Sequence, residues 1–236
     1  MSNKPLKTQG FAQGIYQQSS TQMHDLDTVR YLSDGRAFAY AQAGATALAV
    51  AKLTCSEAPS ATANRETVAA NAAVGASVLS ISFGGEKAAD LFKDGWIYDC
   101  LAGDLYQVKS HAIGTTEVQV YLKEKLRIAW TTSSKATVIR NRQKQVIISP
   151  TTLTSPPAGI PPIAVTAAYY FWNQVKGPAV CLIAGAAVIG NLVGPLTTAG
   201  AVAPLNTADI IGAVGTVLSA DATTEYGLIN LSIAGY

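Results

Sequence analysis

The clearest signal along this chain is alternation of apolar and polar residues with a period of two. That pattern sets every second side chain on one face of a half-buried strand. It is cleanest over 117–122, where Val118, Val120 and Leu122 share a face. Over 78–83, Leu79, Ile81 and Phe83 alternate with Ser80 and Ser82. Residues 28–41 read as a hairpin, because two strand-like runs flank Ser33-Asp34-Gly35 and Asp-Gly favours a tight turn. In the second of these runs Arg36, Phe38 and Tyr40 point one way, and Ala37, Ala39 and Ala41 the other. An alanine face lets another backbone approach closely. Further strands are predicted at 48–54, 96–100, 105–110, 127–130, 136–140 and 145–149, with one short helix at 87–92.

Two stretches break the pattern. Residues 1–27 are polar and rich in Gln, Ser and Thr, with Phe11, Ile15 and Tyr16 as their main large apolar side chains. Such a segment cannot form a core of its own and reads as an extended arm, disordered or draped over a partner. At 150–162 five prolines crowd together: Pro150, Pro156, Pro157, Pro161 and Pro162. Proline fixes φ and removes a donor, so this stretch reads as a semi-rigid linker. Beyond it, short apolar runs at 163–172, 179–183, 187–193, 211–218 and 226–233 are separated by Gly, Pro, Asn and Asp. The expected organisation is mainly β: an arm at 1–27, an N-terminal β domain at 28–149, a proline-rich linker at 150–162, and a C-terminal β-barrel or sandwich at 163–236.

Composition sharpens this picture. Hydrophobic residues make up 49% of the 236, enough for a core, but charged residues only 14%, against about 25% in average soluble domains. A surface so poor in charge suits a protein that buries much of itself against neighbours. The net charge of +2 is too small to argue for nucleic acid. The densest basic stretch, Lys135, Arg140, Arg142 and Lys144, has no interleaved aromatic residues and reads as solvated strand ends and a loop. No charge occurs between Lys176 and Asp209, but Gly185, Gly190, Asn191, Gly194 and Pro195 interrupt the apolar run and argue against a membrane helix. The N-terminus has no secretory h-region. Cys55, Cys100 and Cys181 are odd in number and irregularly spaced, which fits synthesis in a reducing compartment.

Residues for chemistry are scarce. His24 and His111 have no metal-ligand partners at helical or cysteine spacing, so no metal site or cofactor is expected. No Gly-x-Ser-x-Gly elbow or phosphate-binding loop occurs. The aspartates fall mostly in turns, where they cap backbone groups, and no carboxylate pair stands out for a hydrolase. The chain reads as a non-enzyme. Its most conspicuous local feature is Tyr169-Tyr170-Phe171-Trp172, whose alternate residues face opposite ways on a strand. Half of that cluster is core. The other half, Tyr170 and Trp172, joins Phe11, Ile15 and Tyr16 of the arm as candidate interface residues.

Four pieces of the chain carry a family resemblance: residues 36–44, 146–152, Tyr169-Tyr170-Phe171-Trp172-Asn173-Gln174 with Gly177-Pro178-Ala179, and 224–231. Through them the chain resembles the capsid decoration (cement) proteins of tailed bacteriophages. The resemblance covers most of the chain from Val29 onward and leaves the arm outside. It implies β-rich domains, at least one a barrel of the β-tulip kind, on the outer surface of an icosahedral head. It also implies a homotrimer that clamps subunits of the major capsid protein, and it carries over no catalytic residues. A second reading places the protein in the tail or fibre, binding host or glycan through exposed aromatics. A third is a hydrolase with an unrecognised site.

Overall fold

A computed structural model describes residues 10–195, 198–205, 212–219 and 222–236. Residues 1–9 of the expected arm, Ile211 at the head of an expected strand, and Asp209 and Asp221 lie outside the described residues. The protein is mainly β. In chain order the strands are β1 (Val29–Tyr31), β2 (Ala37–Gln42), β3 (Thr54–Cys55), β4 (Glu66–Val68), β5 (Val78–Ser82), β6 (Trp96–Asp99), β7 (Leu105–His111), β8 (Val118–Leu122), β9 (Lys135–Ile139), β10 (Ile147–Ile148), β11 (Pro157–Gly159), β12 (Tyr170–Leu182), β13 (Leu192–Gly194), β14 (Ala203–Pro204), β15 (Gly215–Val217) and β16 (Tyr226–Ser232). A single 3-10 turn, Ala61–Ala63, is the helical content of the described residues.

Six strands close a barrel in the order β4-β5-β8-β7-β6-β9, every neighbouring pair antiparallel. Closure leaves no unpaired edge. The period-two residues fill it: Leu79 and Ile81 of β5, Ile97 of β6, Tyr106 and Val108 of β7, and Val118, Val120 and Leu122 of β8 are all buried. Phe92 and Trp130 complete the packing, so the interior is a core and not a channel. The helix expected at 87–92 is absent. Lys87 instead bridges to Gly114, and Asp90 takes a left-handed φ of 57° that interrupts any helical run. A six-residue stretch gains too few helical hydrogen bonds to resist this. Of the strand expected at 127–130, only Trp130 pairs, with Ala72.

The second body is a seven-stranded sheet ordered β1-β2-β12-β16-β15-β13-β14. This pairing corrects the expected division at 150–162. β2 lies against β12 over Tyr170–Lys176, and β3 pairs with both β10 and β11. The chain therefore leaves the sheet region after Cys55, builds the barrel, and returns at Ile147, which is the register partner of Cys55. The proline-rich segment is no spacer. Pro157–Gly159 is an edge strand, where a missing N–H costs nothing, and Ala158 and Ile160 are buried. Ile160 and Gln174 exchange two backbone hydrogen bonds of 2.9 Å.

The runs expected separately at 163–172 and 179–183 meet in the thirteen-residue β12. Gly177 makes this possible. Its φ is +85°, and a Cβ there would lie 2.9 Å from the Gly35 carbonyl oxygen. Gln174 steadies the irregular register by donating from Nε2 to the Pro178 carbonyl at 2.8 Å.

Candidate functional site

Four of the five candidate interface residues converge, but within this chain. The arm lies across the face of the sheet that carries Phe38, Tyr40 and Trp172. Ser19 and Tyr170 exchange backbone hydrogen bonds of 3.0 and 2.8 Å. Phe11 meets the Trp172 ring edge-on at 5.2 Å, and Ile15 and Tyr170 pack on the same cluster. Gln13 is the polar anchor: its carbonyl accepts from Trp172 Nε1 at 2.9 Å, and its Oε1 accepts from the Tyr40 hydroxyl at 2.9 Å. Trp172 is 0% exposed. As an outward contact residue it is corrected, because the arm covers the face it occupies. The opposite face behaves as the alternation requires, with Tyr169 and Phe171 packed beside Ala41 and Val165. Tyr16 differs from the rest: it is 60% exposed.

Tyr16 adjoins a broad open surface. On the outer side of the sheet Val180 stands opposite Leu228, and Leu192, Leu218 and Tyr226 continue the same exposed apolar face. Val188 and Ile189, in the loop before β13, are also exposed. A shallow groove beside Val180 and Leu228 is lined by Tyr16, Val50, Pro161 and Pro162, with Arg36 at the arm side. β13, β15, β16 and residues 177–182 of β12 carry no charged side chain. Their inward partners, including Val193, Val217, Ile229 and Leu231, are buried, while the outward positions hold Val180, Leu192, Tyr226 and Leu228 with the uncharged polar Thr216, Asn230 and Ser232. Contiguous exposed apolar surface without charge is what a contact face looks like before it is covered.

A third feature is a cleft of about 320 Å³ between the end of the barrel and the sheet. Arg140, Arg142 and Lys144 line it with Trp96 and Tyr236. Arg140 Nη1 pairs with the Glu57 carboxylate and donates to Gln145 Oε1 at 3.1 Å. Arg142 stacks on the Tyr236 ring at 5.4 Å and donates to the Ala234 carbonyl at 2.6 Å. Lys144 Nζ donates to the Asp90 carbonyl, and desolvation holds its ammonium below the usual lysine value. Burial, then the neighbouring Asp27 carboxylate, raises the Tyr236 phenol well above its usual range, so it stays a donor to Asp27. The basic stretch was visible in the sequence. Its aromatic companions were not, because Trp96 arrives from β6 and Tyr236 from the segment that follows β16.

His111 and the cysteines lie outside these three surfaces. His111 is buried, with Nε2 accepting from the Phe92 N–H at 3.0 Å and Nδ1 2.8 Å from the Ala112 carbonyl. Both ring nitrogens are thus used by a neutral imidazole. The three cysteines are free. Among the described residues no group of three or more His, Cys, Asp or Glu could hold a metal, and no helix is long and apolar enough to cross a membrane. The fold and these surfaces define a predominantly β protein with a closed six-stranded barrel, whose distinctive residues make contacts. No family model, curated protein or solved structure matches the chain.

Proposed function

We propose that this chain is a structural virion protein, a capsid decoration (cement) protein that sits on the outer surface of a phage head and bridges subunits of the major capsid protein. The observation that carries the reading is the uncharged, largely apolar face formed by residues 177–182 of β12 with β13, β15 and β16, which no segment of the described chain covers. Burying one exposed Val or Leu against a partner contributes about 1.5–3 kcal/mol. Several such contacts made to adjoining subunits act multivalently, so individually weak contacts hold firmly. The resemblance carried by the Tyr169 to Ala179 piece agrees with this role, as does the low charge. In this reading the barrel and the sheet are two β modules of the tulip-like kind, and the protein acts as a homotrimer. It is made in the host cytoplasm and needs no catalysis, cofactor, nucleic acid or membrane. The tail or fibre alternative rested on exposed aromatics, and the burial of Trp172 counts against it.

The test mixes purified protein with expanded heads built from the major capsid protein encoded alongside it. The reading expects co-sedimentation and a higher head melting temperature. A double variant, Val180→Asp with Leu228→Asp, should lose both effects while keeping its circular dichroism spectrum. Heads indifferent to the native chain would sink the proposal.

A further inference from the structure

The cleft at the end of the barrel shares no residue with the open sheet face, and the shell-binding role leaves it unused. Its lining is not evenly charged. Glu57 answers Arg140, but Arg142 and Lys144 donate to the main-chain carbonyls of Ala234 and Asp90, and the nearby carboxylates, Asp27 for Arg142 and Asp90 and Asp94 for Lys144, act on them through space without a direct ion pair. Asp27 also lines the cleft, and its carboxylate accepts from Tyr236. Three cations against two carboxylates leave the lining positive. Beside them Trp96 and its cross-strand neighbour Ile139 form an apolar ledge, 43% and 40% exposed.

We propose that this cleft binds an acidic segment of a protein partner, with carboxylates held by Arg142 and Lys144 and an adjacent apolar side chain laid on Trp96. Trp, Tyr and Arg gathered in a concave site are the residue types that dominate protein–protein hot spots. An arginine whose plane is already fixed by stacking loses little freedom when it takes a carboxylate. The volume of about 320 Å³ is at the low end of ligand pockets, about 300–1,000 Å³. It has room for a few side chains and not for a folded domain. The proposal stands apart from the shell-binding reading, because each surface can be altered without touching the other.

The structure supplies its own reporter. Trp130 and Trp172 are 0% exposed, so Trp96 is the tryptophan that a soluble ligand reaches. The experiment titrates native protein with an acetylated, amidated hexapeptide, Glu-Phe-Asp-Glu-Phe-Glu. Parallel titrations use its Gln/Asn counterpart and inorganic phosphate, and Trp96 emission is followed throughout. A saturable change is expected with the acidic peptide alone. Binding should weaken about tenfold in Arg142→Gln with Lys144→Gln, as loss of charge-assisted hydrogen bonds predicts, and stay unchanged in Lys125→Gln on the exposed surface. If the double variant does not fold, salt decides: affinity of the native protein must fall between about 50 and 500 mM. Equal binding of the neutral peptide, full competition by phosphate at matching concentration, salt-independent affinity, or no response to the acidic peptide would each overturn the assignment.

Discussion

Trp172→Ala offers the sharpest perturbation of the arm. The indole is fully buried, and Phe11, His24 and Tyr40 lie around it at ring-centroid distances of 5.2, 5.4 and 5.0 Å. Truncating a buried Trp to Ala typically costs about 3–5 kcal/mol. It also removes the Nε1 donor to the Gln13 carbonyl, a loss of about 0.5–1.5 kcal/mol that the same range absorbs. Domains are stable by only about 5–15 kcal/mol, so the variant should lose a large share of its stability. Trp172→Phe keeps a ring and loses mainly the hydrogen bond and some contact area, so it should cost about 1–2 kcal/mol. Urea unfolding followed by circular dichroism measures both losses. Limited proteolysis adds a local readout: with the indole gone, cleavage within 10–27 should precede cleavage elsewhere. A Trp172→Ala protein within about 1 kcal/mol of native, with the arm still protected, would refute the claim that this indole anchors it.

Gly95→Ala should be severely destabilising, since a Cβ there would lie 2.2 Å from the Ile139 carbonyl oxygen and 2.9 Å from the Asn141 nitrogen. Relief requires separating β6 from β9, so a loss of about 3 kcal/mol or more is expected; a variant with a native melting temperature would contradict the close approach. Acidification should weaken the fold through His111, whose pKa desolvation lowers below its ordinary 6.5, with Lys144 lowering it further and Asp90 opposing. The sign follows from linkage: the unfolded chain takes the proton near 6.5 and the folded chain resists it, so this contribution is complete above 6.5 and is lost as pH falls below it. Proton NMR of the imidazole should give a midpoint under 6.5, and a midpoint at or above that value would contradict the burial.

Faces were legible in the sequence where alternation was strict; partners were not. Val118, Val120 and Leu122 announced an inward face, and Phe38 and Tyr40 separated from the alanines between them as expected. Tyr170 and Trp172 likewise parted from Tyr169 and Phe171. Period two, however, says which side of a strand is buried and nothing about which strand lies beside it. The pairing of β2 with β12 spans more than a hundred residues and left no local trace. The prolines misled for a related reason. Pro157 removes a donor, but at the edge of the β10-β3-β11 sheet no donor was required. The runs at 163–172 and 179–183 looked separate and are instead one strand, β12, with an irregularity between Gln174 and Lys176 and with Gly177 admitting the close approach of Gly35. For the cleft, the crowding of Arg140, Arg142 and Lys144 was the available signal; a turn there, with the Lys144 N–H donating to the Asn141 carbonyl at 3.0 Å, brings the three cations to one cleft. Trp96 and Tyr236 join them only through tertiary structure.

The central claim is that the protein covers a viral shell with its uncharged sheet face. Electron microscopy of intact virions at a resolution that traces strands tests it most directly. The account predicts density for this chain on the outside of the head, with Val180, Leu192 and Leu228 turned toward the major capsid protein and the arm, which lies on the same face of the sheet, beside that contact. Density in the tail, or head-bound density with those residues facing solvent, would contradict it.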